Sequence, residues 1–319
     1  VPTMRRIAAV YLALVILLVA RAQAQDANFL VPIDVIERRL LLEPLVVLDE
    51  RGSRAEGDRT SRVVLTYPDS SVMVVKWAKS APGGATFNNE PRYEIAAYLL
   101  QKLFLDPADY VVPPTLPRAV PLSWLKQYDS QASATFDKTN SVVMVMQYWL
   151  QQVTPDKFYE EKRLETDSIY ARHFGDFNVL TYLARHNDSN VGNFLISQNA
   201  ENPRVFSVDN GVAFRSPISN RGYEWRDLKV KKLPRATVER LRKITHEDLE
   251  RALGIVAHFE IRDGELVAVE PSANLNPGRG VRRTDQAVQF GLTTAEIRDV
   301  ENRLRDLIKR LDEGKIAVF

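Results

Sequence analysis

The chain has no cysteine among its 319 residues. That excludes disulfides, thiolate zinc sites and cysteine nucleophiles at once. Histidine is scarce too: His173, His186, His246 and His258 are the full set, and none falls at a metal-ligand spacing such as H-E-x-x-H. There is no Walker A loop, no G-x-G-x-x-G and no G-x-S-x-G. An excess of charge is missing as well. A net charge of +2 argues against a bulk polyanion binder, so no nucleic-acid partner is expected, although a local basic patch stays open. The apolar and charged fractions, 45% and 26%, are those of an ordinary globular protein long enough to bury a large core.

The first residues carry a clear signal. Arg5 and Arg6 precede an apolar run from Ile7 to Ala20, and Ala22-Gln23-Ala24 follows. This is the pattern of a secretory signal peptide. The run is short of the ~20 residues that a spanning helix needs. Residues 1–24 are therefore expected to be cleaved after Ala24, with Met4 a candidate start, and the remainder to be exported to a periplasm or secreted.

Beyond it, PLVVLDE (44–50), RVVLTYP (62–68) and VMVVKWA (72–78) read as strands joined by turns. RYEIAAYLLQKLFL (92–105) repeats its apolar residues at helical spacing. A Pro-rich connection leads to a strand near 117–124 and a buried strand SVVMVMQYW (141–149). DFNVLTYLARH (176–186) is an apolar helix, and NFLIS with RVFSVDNGVAF (204–214) forms a short hairpin. Helices near 235–244 and 246–257, a hairpin at 258–270 and a loop NLNPGRG follow, GRG at 278–280 reading as a turn. A last helix opens at Thr293-x-x-Glu296 and stops at Gly314. The order predicts an α+β chain of two lobes, strand-rich over 25–147 and mainly helical over 148–319.

LARHNDSNVGNFLI (183–196) crowds polar side chains between two apolar runs. Such groups are costly to bury without partners, so an ordinary polar loop is the plain reading. Elsewhere, Lys76 ends an apolar strand, where it is either a solvent-reaching edge lysine or a functional one. Glu94 is either its partner or one more exposed helix charge. Asp209-Asn210-Gly211 is a hairpin turn or a metal-bearing one, and His186 caps the end of its helix. Together, a Lys, a helix Glu, Asp-x4-Asn and Asp-x-Gly occur in the order of a phosphoryl-transfer site. There Lys76, fixed by Glu94, would hold inner phosphates, Asn193 and Asp209 would offer oxygen ligands to a divalent cation, and Asp188 would meet the acceptor hydroxyl.

YEIAAYLLQKLFL…VVPPTLPR (93–118), FNVLTYLARHNDSNVGNFLI (177–196) and VDNGVAF (208–214) resemble the protein-kinase-like superfamily. The likeness is narrower to secretory-pathway kinases of the four-jointed and Golgi casein kinase type. HipA-type and phosphatidylinositol kinases share the layout. It covers roughly residues 60–245.

The resemblance implies a two-lobed kinase-like fold using ATP with Mg²⁺ or Mn²⁺. It implies Lys76 as phosphate-binding lysine, Glu94 as its partner, Asp188 as catalytic Asp, and Asn193 and Asp209 as metal ligands. Gln147, Tyr148 and Trp149 would be the hinge whose backbone meets adenine. It implies partners in a nucleotide and a hydroxyl-bearing substrate, protein Ser/Thr or sugar.

The chain departs from the family at several points. Ser189-Asn190 replaces the Arg-His of its D-R-H, its animal members have disulfides, and Asn193 stands where Golgi casein kinases have an acid. Gly52 to Gly57 is the candidate phosphate loop. Three alternatives stay open. One is a catalytically silent pseudokinase. Another is a small-molecule kinase, since HNDSNVGN resembles the aminoglycoside-phosphotransferase H-G-D-x-x-x-G-N. The third is a lipid kinase, with the basic stretch 221–243 at a membrane or facing an acidic substrate; that stretch also reads as a solvated helix face.

Overall fold

The computed structural model describes residues 27–52, 60–85, 90–214, 222 and 224–319. The expected signal peptide and most of the Gly52–Gly57 loop therefore lie outside the described residues.

Helix α1 (Ile33–Leu41) leads into strands β1 (Val46–Gly52), β2 (Thr60–Thr66) and β3 (Val72–Lys79). Helix α2 (Pro91–Gln101) follows, then β4 (Thr115–Pro121) and β5 (Ser141–Tyr148). The five strands form one sheet in the order β1-β2-β3-β5-β4, with every neighbouring pair antiparallel. Strand β2 alternates buried and half-buried residues, as a strand with one covered face should. Every residue of SVVMVMQY in β5 is buried, which puts β5 at the heart of the sheet. Pro91 opens α2 at its first turn, where a missing N–H costs nothing. Ten of the eleven residues of α2 are buried, so it is an internal helix with no solvent face.

After β6 (Val153–Thr154), helix α3 (Ser168–Leu183) begins at Asp167, whose carboxylate accepts from the Ile169 and Tyr170 N–H groups. Strands β7 (Phe194–Ser197) and β8 (Val205–Ser207) form the expected antiparallel hairpin, joined by β6 into a small sheet. Behind them, Trp225 packs among Phe158, Phe174, Phe177 and Phe194. A short β9 (Lys232–Leu233) precedes helices α4 (Arg235–Leu241) and α5 (His246–Leu253).

The expected hairpin at 258–270 is present, and two strands not anticipated from the sequence follow the NLNPGRG loop. Strands β10 (Ala257–Arg262), β11 (Glu265–Ala268), β12 (Val281–Arg283) and β13 (Ala287–Phe290) form a second sheet, β11-β10-β13-β12. Its β10–β11 turn reaches the first sheet, where Asn140 N–H donates to Gly264 O at 2.7 Å. Helix α6 (Thr294–Asp312) starts with the capping box expected at Thr293 and Glu296. Gly314 ends it at φ 69°, and β14 (Ala317–Val318) then pairs parallel with β9. No helix among the described residues is long and apolar enough to cross a membrane.

Candidate active site

Alternation in β3 decides where Lys76 goes. Met73, Val75 and Trp77 are buried on one face, which turns Lys76 to the other, above the cleft between the lobes. Its Nζ lies 3.3 Å from Glu94 Oε1 and 4.0 Å from Asp209 Oδ1. Glu94, on the first turn of α2, is buried and takes a second hydrogen bond at Oε2 from the Asn210 N–H, at 3.1 Å. The helix Glu thus grips the lysine with one oxygen and the D-N-G turn with the other.

LARHNDSNVGNFLI folds so that its polar groups answer one another. Arg185 leaves helical geometry at φ 50°, and His186 turns inward, fully buried. The Asp188 N–H donates to His186 Nδ1 at 3.3 Å, so the ring proton sits on Nε2, which donates to Asp209 O at 2.8 Å. Asp188 Oδ1 accepts from the Asn190 N–H at 3.0 Å, a side-chain-to-backbone turn. Asn193 O accepts from the Val208 N–H, 2.9 Å away, and this bond joins the loop to the strand leading to Asp209. His186 is therefore more than a helix cap: it is the rivet between the two loops.

Asn193 and Asp209 line the same cleft, together with Lys76, Gln147, Trp149 and Leu150, around a cavity of about 560 Å³. That volume suits a nucleotide-sized ligand. Asp188 is buried and does not line this cavity. Asn193 Nδ2 is buried with no hydrogen-bond partner among the described residues. A side-chain amide can present either end, so this orphaned position suits an oxygen ligand for a cation as well as a donor. No group of three or more acidic or histidine side chains placed to hold a metal occurs among the described residues. One carboxylate and one amide fit a cation that arrives with phosphates, as Mg²⁺ does, better than a resident metal.

Electrostatics separate the two carboxyls. Burial raises both, and for Glu94 it wins over the Lys76 ammonium, pushing its pKa to about 7. For Asp209 the Lys76 ammonium, a hydrogen bond with Glu94 and nearby His186 outweigh burial and hold it below the usual carboxylate range. Asp209 is thus the anion of the pair, as a metal ligand must be.

The predicted hinge is more selective than its sequence suggests. Gln147 is buried and donates from Nε2 to Thr115 Oγ1 at 2.9 Å. The N–H groups of Tyr148 and Trp149 are already bonded to Pro114 O and Val74 O, at 2.9 and 3.0 Å. Leu150, one residue on, makes no backbone N–H bond among the described residues and lines the cleft. Nothing in the sequence distinguishes those N–H groups, because strand pairing decides which are used. Of the basic residues in 221–243, Arg240 and Arg242 pair with Asp106 and Asp312, while Lys229, Lys231, Arg235 and Lys243 are exposed.

No family model matches the chain, and no curated protein matches it in sequence. Among solved structures, that of hydra Fam20 with sugar superimposes with a TM-score of 0.53 at 13% identity, covering 92% of this chain and 95% of that one. The fold is protein-kinase-like. A MAP kinase, LmaMPK10 from Leishmania major, aligns over 56% of this chain and 49% of its own at 10% identity, with a TM-score of 0.30 too low to carry weight. In this kinase-like frame Lys76 stands on the third strand and Asp209 in the turn after β8, both lining one cleft, with Glu94 buried behind them on the helix beside β3.

Proposed function

We propose that this protein is an ATP-dependent phosphotransferase that moves a γ-phosphoryl group to a hydroxyl acceptor outside the cytoplasm. The carrying observation is that Lys76 and Asp209 line one cavity from separate elements, while buried Glu94 on a third element bonds both the Lys76 ammonium and the Asn210 N–H behind it. Positioning and charge neutralisation are most of what phosphoryl transfer asks of a protein.

Lys76, held by Glu94, meets the inner phosphates of the nucleotide. Asp209 and Asn193 would hold Mg²⁺ or Mn²⁺, which supplies neutralisation of the developing phosphate charge. Leu150 N–H offers the base a donor that the paired Tyr148 and Trp149 cannot. Asp188 accepts the proton of the attacking hydroxyl, its orientation set by the Asn190 N–H and the His186 bridge. The border between the lobes falls just after Gln147, and the expected leader at 1–24 supports export. The acceptor is a protein Ser/Thr or a sugar hydroxyl; the sugar in the hydra Fam20 structure favours the second.

Incubation with γ-labelled ATP and Mn²⁺ or Mg²⁺ tests the reading, with dephosphorylated casein and free sugars offered as acceptors. Label transfer is expected in the wild type and a loss of about a hundredfold or more in Asp188→Ala and in Asp209→Ala. Equal transfer in all three sinks the assigned roles. Nucleotide binding without transfer by the wild type identifies a pseudokinase.

A further inference from the structure

Helix α2 carries a second charged residue, two positions before Glu94, that the site does not use. Arg92 is buried, and its guanidinium points away from the cleft into the C-terminal part of the chain. Its two terminal nitrogens reach both oxygens of Glu296, at 2.6 and 3.0 Å. The same guanidinium donates to Gly291 O at 3.2 Å and to Glu90 Oε2 at 2.8 Å. Burial alone would raise the Glu296 carboxyl, but Arg92 outweighs it and keeps the group ionised. A two-pronged pair of this kind fixes direction as well as distance.

The pair has a continuous path to the chemistry. Tyr93 donates from its hydroxyl to Glu296 Oε1 at 2.5 Å and packs its ring against Phe214, the last residue of D-N-G-x-x-F, at a centroid distance of 5.4 Å. Glu90 N–H donates to Gly211 O at 3.2 Å, and Glu94 holds the Asn210 N–H. One turn of α2 is thus bonded on one side to the D-N-G loop and on the other to the first turn of α6. The chain also leaves space for the arrangement. A Cβ on Gly280 would come within 2.3 Å of Arg92 Nε, so the GRG turn is a close approach and not only a bend.

We propose that Arg92 and Glu296 are positioning residues, a built-in strut that holds α2 where Glu94 engages both Lys76 and the Asn210 N–H, so that the site is assembled without an activating partner or modification. This rests on the phosphotransferase reading for its catalytic consequence, while the strut itself is a claim about α2. In kinase-like folds where α2's counterpart swings, the Lys–Glu pair forms only on activation. Here a buried bidentate ion pair occupies the far side of the helix.

Two substitutions away from the cleft separate the strut from other roles. Glu296→Gln keeps the capping box, since glutamine serves there as well as glutamate, but removes the bidentate carboxylate from Arg92 and leaves it only the charge of Glu90. Gly280→Ala leaves every charge in place and displaces the guanidinium. Amide hydrogen exchange at Asn210 and along α2 reads the strut directly, with no need for turnover. The expected result in both variants is exchange at Asn210 at least about tenfold faster, while the α3 core is unchanged. In the phosphotransfer assay, kcat should fall at least about tenfold with the nucleotide KM within about threefold of wild type.

Unchanged exchange at Asn210 in either folded variant overturns the strut. So does faster exchange spread evenly over the whole chain, which marks a purely structural residue. A wild type that transfers no phosphate refutes the phosphotransferase reading alone, and the exchange result still decides the strut.

Discussion

His186 and Asp209 are joined ring to backbone: the imidazole Nε2 donates to the Asp209 carbonyl at 2.8 Å while Nδ1 takes the Asp188 N–H. One buried side chain thereby sets the spacing between the proposed base loop and the proposed metal loop. Burial lowers the pKa of the ring, which keeps it neutral and preserves the donor–acceptor polarity that the bridge needs.

Replacing His186 by Ala removes the ring's bonds to the buried Asp188 N–H and to the half-buried Asp209 carbonyl. We expect a loss of about 2–3 kcal/mol in stability, and a phosphotransfer rate reduced at least tenfold, because the relative placement of Asp188 and Asp209 slackens. Chemical denaturation and the label assay check this. Full activity with normal stability in His186→Ala would show that the bridge is dispensable.

A second expectation concerns Asp176 on α3. It is buried, the Thr237 hydroxyl donates to its Oδ1 at 2.6 Å, and burial raises its pKa to about 7. Asp109 raises it further, while Arg172 and Arg240 oppose the shift. The folded state therefore binds a proton that the unfolded chain releases near pH 4. Stability from this group is present below pH 4 and is lost as pH rises toward 7, by about 1.4 kcal/mol per unit at most. Asp176→Asn keeps the acceptor for Thr237 and never ionises. Its melting temperature relative to wild type should climb between pH 4 and 7 and level off above. A difference that does not vary with pH would contradict the account.

Much of the fold could be read from the chain because its signals are local. The apolar run of β5, the Thr293 cap and the Gly314 stop all act within a few residues, whereas α3 starts at Ser168, eight residues before the start expected at Asp176. Lys76, Glu94 and Asp209 were recognisable as a set because their order along the chain carries the chemistry, even though each alone has an ordinary alternative. What stayed hidden depends on distant partners. Strands β12 and β13 are only three and four residues long, and Arg282 inside β12 is buried by bonding to Arg279 O, Gly254 O and Leu292 O. No local pattern announces such a strand. Helix α1 has no side-chain cap, since Pro32 stands at its N-cap. Arg92 carries no role readable from the chain alone, although the lack of any polar face on α2 is a sign that its charges must be paired.

The central claim is that Asp209 holds a cation for a nucleotide while Asp188 serves the acceptor, and nucleotide titration with and without Mn²⁺ separates the two roles. Calorimetric binding of ADP to the wild type should tighten about tenfold or more when Mn²⁺ is present. Asp209→Ala should lose that gain, and Asp188→Ala should keep it although it transfers no phosphate. Binding that ignores Mn²⁺ in the wild type, or a gain that survives in Asp209→Ala, would contradict the account.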